Sequence, residues 1–201
     1  MNVTRGFTGR PRVQDAGLPP GQYDARDDWP VLSAEVTPDL SPADWTFGVD
    51  GLVAAPRTWD WDTAHALPGS SYEGALHCVT GWSKFGMRFT GVSLDRFLDA
   101  VRPQESATHV MAYSHTGYTT DLPLADVTGG KAWLVWDCDG RPLAPEHGGP
   151  ARLLVPHLYF WKSPKWIAGL TLLDHDEPGF WEQNGYHARG NPWEEQRYSG
   201  D

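Results

Sequence analysis

The chain has 201 residues, a formal charge of −10 and 12% aromatic residues. That length allows one domain with a sizeable core, and the aromatic content excludes a disordered chain. The acidic balance disfavours nucleic-acid binding. No apolar run reaches the length of a membrane span.

Residues 1–28 are rich in Gly, Pro, Arg and Asp and are expected to form an extended arm with little core of its own. Within it, Met1 to Arg12 has neither an apolar stretch nor a twin-arginine pair, so no export signal is read and a cytoplasmic location is expected. Residues 29–201 are read as a single domain. Trp29-Pro30-Val31-Leu32 is its first apolar cluster. Trp45 to Val53 alternates and predicts a strand with a turn at Asp50-Gly51. A short helix is expected from near Asp60, and a strand over Ala75 to Thr80. Ser93 to Val101 has apolar residues at helical spacing behind an N-cap serine, which predicts a helix.

Val110 to Tyr113 and Tyr118 to Leu122 read as strands, Leu124 to Val127 as the start of a short helix, and Ala132 to Trp136 as a strand. Asp139-Gly140 offers a hairpin turn. Ala151 to Val155 and Trp166 to Leu173 complete the strands. The 22 glycines and 17 prolines fit many turns and loops between them. The result is an α+β class with mixed sheets, short helices and long loops.

Two runs carry chemistry. In Ala75-Leu76-His77-Cys78-Val79-Thr80-Gly81-Trp82-Ser83, a cysteine stands near a strand end beside glycine and histidine, where its sulfur can face a pocket. Free cysteine is usually a small buried hydrophobe; as a thiolate it is a soft metal ligand. The second run, Glu146 to Pro156 followed by Tyr159 to Trp166, opens a stretch without acidic residues from His147 to Leu173. That stretch holds His147, Arg152, His157, Lys162 and Lys165, a cationic island in an acidic chain that points to a bound anion. A solvated basic loop is the plainer reading. The other cysteine, Cys138, is expected to be structurally inert, and a disulfide with Cys78 is not expected in a reducing compartment.

Taken in order, Cys78, Gly117-Tyr118, Leu122-Pro123-Leu124, Asp139 to Leu143, His147-Gly148-x-Pro150-x-Arg152-x-x-x-Pro156 and Lys165-Trp166 resemble the molybdopterin-binding domain of the sulfite oxidase superfamily. The resemblance implies that superfamily's fold and a molybdenum–molybdopterin cofactor, with the protein holding a group that carries the redox chemistry. By the same resemblance Cys78 matches the metal ligand and Tyr118 a tyrosine near the metal. His147 matches a pterin contact, and Arg152 an arginine near the phosphate and pterin. Ser163, Pro164 and Lys165 match the loop that closes over the cofactor, with Lys162 beside it. Ser114 matches a threonine that contacts the cofactor in the sulfoxide reductases of the superfamily. Trp29 to Leu32 falls roughly where the family uses an N-terminal segment.

The departures bear on substrate. Sulfite oxidases place an arginine shortly after the ligand cysteine, whereas this chain has Gly81-Trp82-Ser83-Lys84. A more aromatic, less cationic pocket follows unless Lys84 points inward. The implied activity is oxygen-atom transfer on a small sulfur-containing or similar substrate, with a separate electron-transfer partner. A true sulfite oxidase and a cofactor-free binding domain that keeps the fold are the alternatives. His175, Asp176, Glu182 and His187 do not make a zinc ligand pattern. The run Gly179 to His187 is either a surface clamp or a segment that brings Tyr186 or His187 to the substrate mouth.

Overall fold

In chain order the elements of this computed structural model are β1 (Tyr23–Asp24), β2 (Thr46–Gly51), β3 (Arg57–Asp60), α1 (Trp61–His65), β4 (Ser70–His77), β5 (Trp82–Ser93), α2 (Leu94–Val101), β6 (His109–Ser114), β7 (Thr119–Pro123), α3 (Leu124–Val127), β8 (Trp133–Cys138), β9 (Arg141–Pro142), β10 (Arg152–Leu154), β11 (Ile167–Leu173) and α4 (Phe180–Gln183). The structure describes residues 17–201; the first part of the expected arm, including the segment read for an export signal, lies outside the described residues.

One sheet runs β1-β5-β8-β10, with β4 added to β5 and β9 to β8; the other runs β3-β2-β11-β6-β7. Period-two alternation turns Trp45, Phe47 and Val49 inward. On α2, Leu94, Phe97, Leu98 and Val101 recur at helical spacing and are all buried. These residues join Leu134 and Leu153 of the first sheet and Leu170 and Leu172 of the second in the main core. A smaller core of Leu76, Trp82, Met87, Phe89 and Leu154 on the first sheet, with Cys78 and Leu143 from its connections, backs the site described below. The mixed sheets and short helices are those of the expected α+β class.

Several local expectations are corrected. Residues 17–28 are not coreless: Leu18 and Gln22 are buried, and Tyr23 and Asp24 pair in parallel with Trp82 and Ser83. The strand expected to run through Cys78 ends at His77. The longest strand, β5, has no counterpart among the expected elements, because its run is broken by Gly86 and Gly91 and shows no clean alternation. Gly91 is required there: a Cβ would lie 2.0 Å from the Leu134 carbonyl oxygen of the neighbouring strand. Ser93 stands at the N-cap of α2 but does not cap it; its hydroxyl donates to Asp95, whose carboxylate takes the N–H groups of Gly129 and Gly130. The helix near Asp60 does form, and Asp60 and Thr63 build a reciprocal capping box. No helix among the described residues is long and apolar enough to cross a membrane.

Candidate functional site

Cys78 sits in the tight connection between β4 and β5. Its N–H donates to the Trp82 carbonyl (2.8 Å), and its own carbonyl accepts from Gly81 N–H (3.0 Å) and the Gln22 amide (3.0 Å). Gly81 closes this turn at φ 103°, a conformation that glycine adopts without strain. Arg197, from the C-terminal segment, donates to the Val79 and Pro20 carbonyls and braces the turn from behind. With the backbone held on both sides, the Cys78 side chain lines a cavity of about 340 Å³. Its thiol is free of any disulfide and accepts a hydrogen bond from Thr80 Oγ1 at 3.2 Å. Burial pushes the thiol's pKa up, against the opposing pull of Thr80 and Arg197, so the sulfur carries its proton near neutral pH.

Arg152, Lys165 and His147 line the same cavity. Arg152 is 1% exposed, donates to the carbonyls of His147 and Ser163 (2.7 Å each) and lies over the Phe160 ring at 4.0 Å. Lys165 donates to the Glu146 carbonyl at 2.6 Å. Among the described residues neither cation forms an ion pair with a carboxylate. Burial lowers the Arg152 pKa to about 9, and burial together with Arg152 lowers that of Lys165 to about 8. Both groups are desolvated cations short of negative charge, which is what an anion site requires. Burial and the two cations take the His147 pKa to about 4, so its ring is neutral near pH 7. It stacks on Trp29 at 3.7 Å, with 9° between the ring planes.

Gly148, at φ 104°, lets the backbone pass between these groups; a Cβ there would meet Arg152 Cβ at 3.1 Å and Lys165 Cβ at 3.0 Å. Ser163 and Pro164 also line the cavity, and Ser163 Oγ accepts from Val155 N–H. Trp29, Pro30 and Leu32 contribute a further wall, as do Trp82, Trp161, Trp181 and Tyr186. Sequence reasoning does not reach the part played by Trp161 and Trp181; the only signal is the density of aromatic residues around them.

Cys78, Tyr118, His147, Arg152, Ser163, Pro164 and Lys165 are thus brought together around one cavity. Two expected cofactor contacts are not among its lining residues. Ser114 is turned to its own loop, its Oγ accepting from Tyr118 N–H (2.9 Å) and Thr116 N–H (3.2 Å). Lys162 is fully buried in an ion pair with Glu182 at 2.6 Å. The cationic island is therefore smaller than its sequence, since His157 also leaves it to pair with Asp126. Tyr118 reaches the cavity wall, but its phenol donates to the Trp161 carbonyl at 2.8 Å. Lys84 points away and donates to the Arg26 carbonyl. Tyr186 lines the cavity; His187 is not a lining residue, and its Nδ1 accepts from the N–H groups of Arg189 and Gly190.

The donor set fits a pterin cofactor that carries a metal at one end and a phosphate at the other. Among the described residues a single soft sulfur lies in the cavity with desolvated cations that lack a carboxylate counter-ion, and glycine backbone between them permits close approach.

Comparison with known proteins agrees. Residues 34–181 match the family model described as the oxidoreductase molybdopterin binding domain. An uncharacterized oxidoreductase YuiH of Bacillus subtilis is 37% identical over 199 residues, covering 97% of this chain and all of the relative. A putative protein-methionine-sulfoxide reductase subunit YedZ1 of Azospira oryzae is 30% identical, covering 76% of this chain and 58% of the relative. The protein-methionine-sulfoxide reductase catalytic subunit MsrP of Ralstonia nicotianae is 28% identical; the match covers 76% of this chain and 52% of MsrP. The chain therefore spans little more than half the length of either reductase relative. Among solved structures, the sulfane dehydrogenase SoxCD of Paracoccus pantotrophus shares the fold at a TM-score of 0.67 and 19% identity, over 78% of this chain and 46% of that one.

Proposed function

This chain belongs to the oxidoreductase molybdopterin-binding domain family, within the sulfite oxidase superfamily, and we propose that it moves an oxygen atom to or from a small, neutral, sulfur-containing substrate. The observation that carries the reading is a cavity that holds one free thiol, Cys78, together with two cations, Arg152 and Lys165, that have no carboxylate partner among the described residues. In this reading Cys78 ligates molybdenum. Arg152 and Lys165, with Ser163 and Pro164, hold the phosphate end. His147, neutral and stacked on Trp29, faces the pterin.

When bound, the cofactor supplies a two-electron redox centre for oxygen transfer. The chain's own residues position and exclude. Arg152 offers a guanidinium already fixed by two carbonyls, so little side-chain entropy is lost when an anion binds. Trp82, Trp161, Trp181 and Tyr186 give the cavity aromatic walls. The two nearby cations that would suit a dianion are used elsewhere: Lys84 on the Arg26 carbonyl, Arg197 on the carbonyls of Val79 and Pro20. That arrangement favours a neutral sulfur compound over sulfite. In the reductive direction a sulfoxide takes up two electrons and two protons and yields the thioether and water, the electrons coming from two equivalents of a separate one-electron carrier.

The test is a dye-linked assay run in both directions on protein made in a host with an intact cofactor pathway. Reduced viologen with methionine sulfoxide or dimethyl sulfoxide is expected to turn over, and sulfite with ferricyanide is not. Sulfite oxidation as the faster reaction would overturn the substrate assignment.

A further inference from the structure

Away from the cavity, tertiary pairing gathers a second set of metal-ligating side chains. We propose that His109, Asp121 and Asp176 bind one divalent first-row transition-metal ion, which clips the segment after β11 onto the β6–β7 end of the second sheet. None of the three residues lines the cavity of Cys78, and the site does not depend on the molybdenum reading.

The first argument is geometry. In the β6–β7 ladder Asp121 pairs with Met111, and His109 stands two residues from Met111 on the same face of the strand. The two side chains are therefore diagonal neighbours across the pair, within reach of one another. Asp176 arrives from the chain that follows β11. One ligand atom from each of the three lies within 4.8 Å of the others. Donors around a bound transition metal lie roughly 3–4 Å apart, and the exposed Asp176 side chain can close that difference by rotation. Thr108 Oγ1 engages His109 Nδ1 at 2.9 Å, which fixes the ring and leaves Nε2 for a ligand.

The second argument is uncompensated charge. Asp121 is 2% exposed, and its Oδ1 is buried without a hydrogen-bond partner among the described residues. A buried carboxylate in that state is costly unless a cation or a proton neutralises it. The lysine that acts on it, Lys162, has its three N–H donors engaged: by Glu182, by the Asp121 carbonyl and by the Ala188 carbonyl. Asp176 and Glu182 add two further carboxylates within electrostatic reach of Asp121. His175 does not offset Asp176, because it pairs with Asp174 at 2.7 Å and Glu177 at 3.9 Å. Three carboxylates against one ammonium leave an excess of negative charge that a divalent cation cancels. Without the cation a proton takes its place: burial, then Asp176, raises the Asp121 pKa to about 8.

The third argument is donor type and position. One imidazole with two carboxylates suits zinc and its first-row neighbours, whereas magnesium and calcium prefer oxygen alone. The segment that carries Asp176 lies flat on β7: a Cβ on Gly179 would come within 2.6 Å of Thr120 Cα. A metal at Asp176 fixes one end of this segment, and the Lys162–Glu182 pair fixes the other, beside Trp181 in the cavity wall.

The test uses the purified chain, stripped with EDTA and exchanged into chelator-free buffer, with the variants Asp176→Asn and His109→Gln treated alike. Calorimetry follows zinc binding. Visible absorbance follows cobalt(II), whose sulfur charge-transfer band separates this site from Cys78 and Cys138. The wild type is expected to bind one zinc ion, and each variant to bind it at least about tenfold more weakly. Cobalt bound at the site is expected to show no sulfur band, and zinc to raise the urea midpoint of the wild type but not of the variants. Absence of stoichiometric zinc binding by the wild type would overturn the site, as would zinc affinities in both variants within twofold of wild type.

Discussion

Lys162 and Glu182 meet at 2.6 Å with side-chain exposures of 0% and 3%. The Lys162 ammonium also donates to the carbonyls of Asp121 (2.6 Å) and Ala188. Glu182 Oε1 also accepts from Thr120 Oγ1 (2.8 Å) and the Trp161 indole (3.0 Å). The pair therefore ties β7, the Phe160–Lys162 turn and the C-terminal segment into one hub. A lysine that resemblance places beside the cofactor instead anchors the segment carrying Trp181 and Tyr186.

Glu182→Gln leaves the Lys162 charge buried without a counter-ion. Unfolding in urea should show a loss of about 3–5 kcal/mol, the usual cost of breaking a buried pair from one side. The double replacement Lys162→Met with Glu182→Leu should cost less than the two single changes summed, because no charge is then stranded. Additive losses would mean that the two groups do not act as a pair.

Arg152→Lys should fold and yet retain at most about a tenth of the wild-type pterin and molybdenum. A lysine cannot hold the carbonyls of His147 and Ser163 and still present a planar fork to an anion. Full cofactor content in this variant, measured after gel filtration, would contradict the anion role.

Asp121 is 2% exposed, and burial followed by its contact with Asp176 raises its pKa to about 8. The folded state therefore binds a proton that the unfolded chain, with a carboxyl near 3.9, releases far earlier. The sign follows: this group's contribution is fully present below about pH 4 and is lost as pH rises towards 8, at up to about 1.4 kcal/mol per unit. Asp121→Asn should flatten that slope and stabilise the protein at pH 8 relative to wild type. Parallel pH profiles for the two proteins in urea unfolding would contradict it.

Much of the site is legible in the sequence because its residues are chemically distinctive and lie in short local runs. Cys78 near Gly81, and His147, Gly148 and Arg152 within one turn and strand, stand out only as an ordered set that resembles a known family, since each alone also reads as a buried thiol or a solvated basic loop. What stays hidden depends on tertiary pairing. Lys162 reads as a cation free for an anion until Glu182, distant in sequence, neutralises it. Tyr118 reads as a free phenol until the Trp161 carbonyl takes its hydrogen bond. The strand β5 escapes a periodicity reading because Gly91 serves close contact with Leu134, and periodicity does not encode that contact. The C-terminal run offers Tyr186 and His187 equally; packing of Trp181 and Trp161 on the tyrosine ring separates them.

The most direct measurement is elemental analysis for molybdenum, with pterin detected by fluorescence after oxidative release, on wild-type and Cys78→Ser protein from the same host. The account predicts near-stoichiometric molybdenum and pterin in wild type. In Cys78→Ser it predicts a loss of metal or of turnover, with the pterin retained by Arg152 and Lys165. Wild-type protein lacking both, made where the cofactor pathway is intact, or a serine variant with full metal and full activity, would contradict the assignment of Cys78 as the ligand of a molybdenum centre.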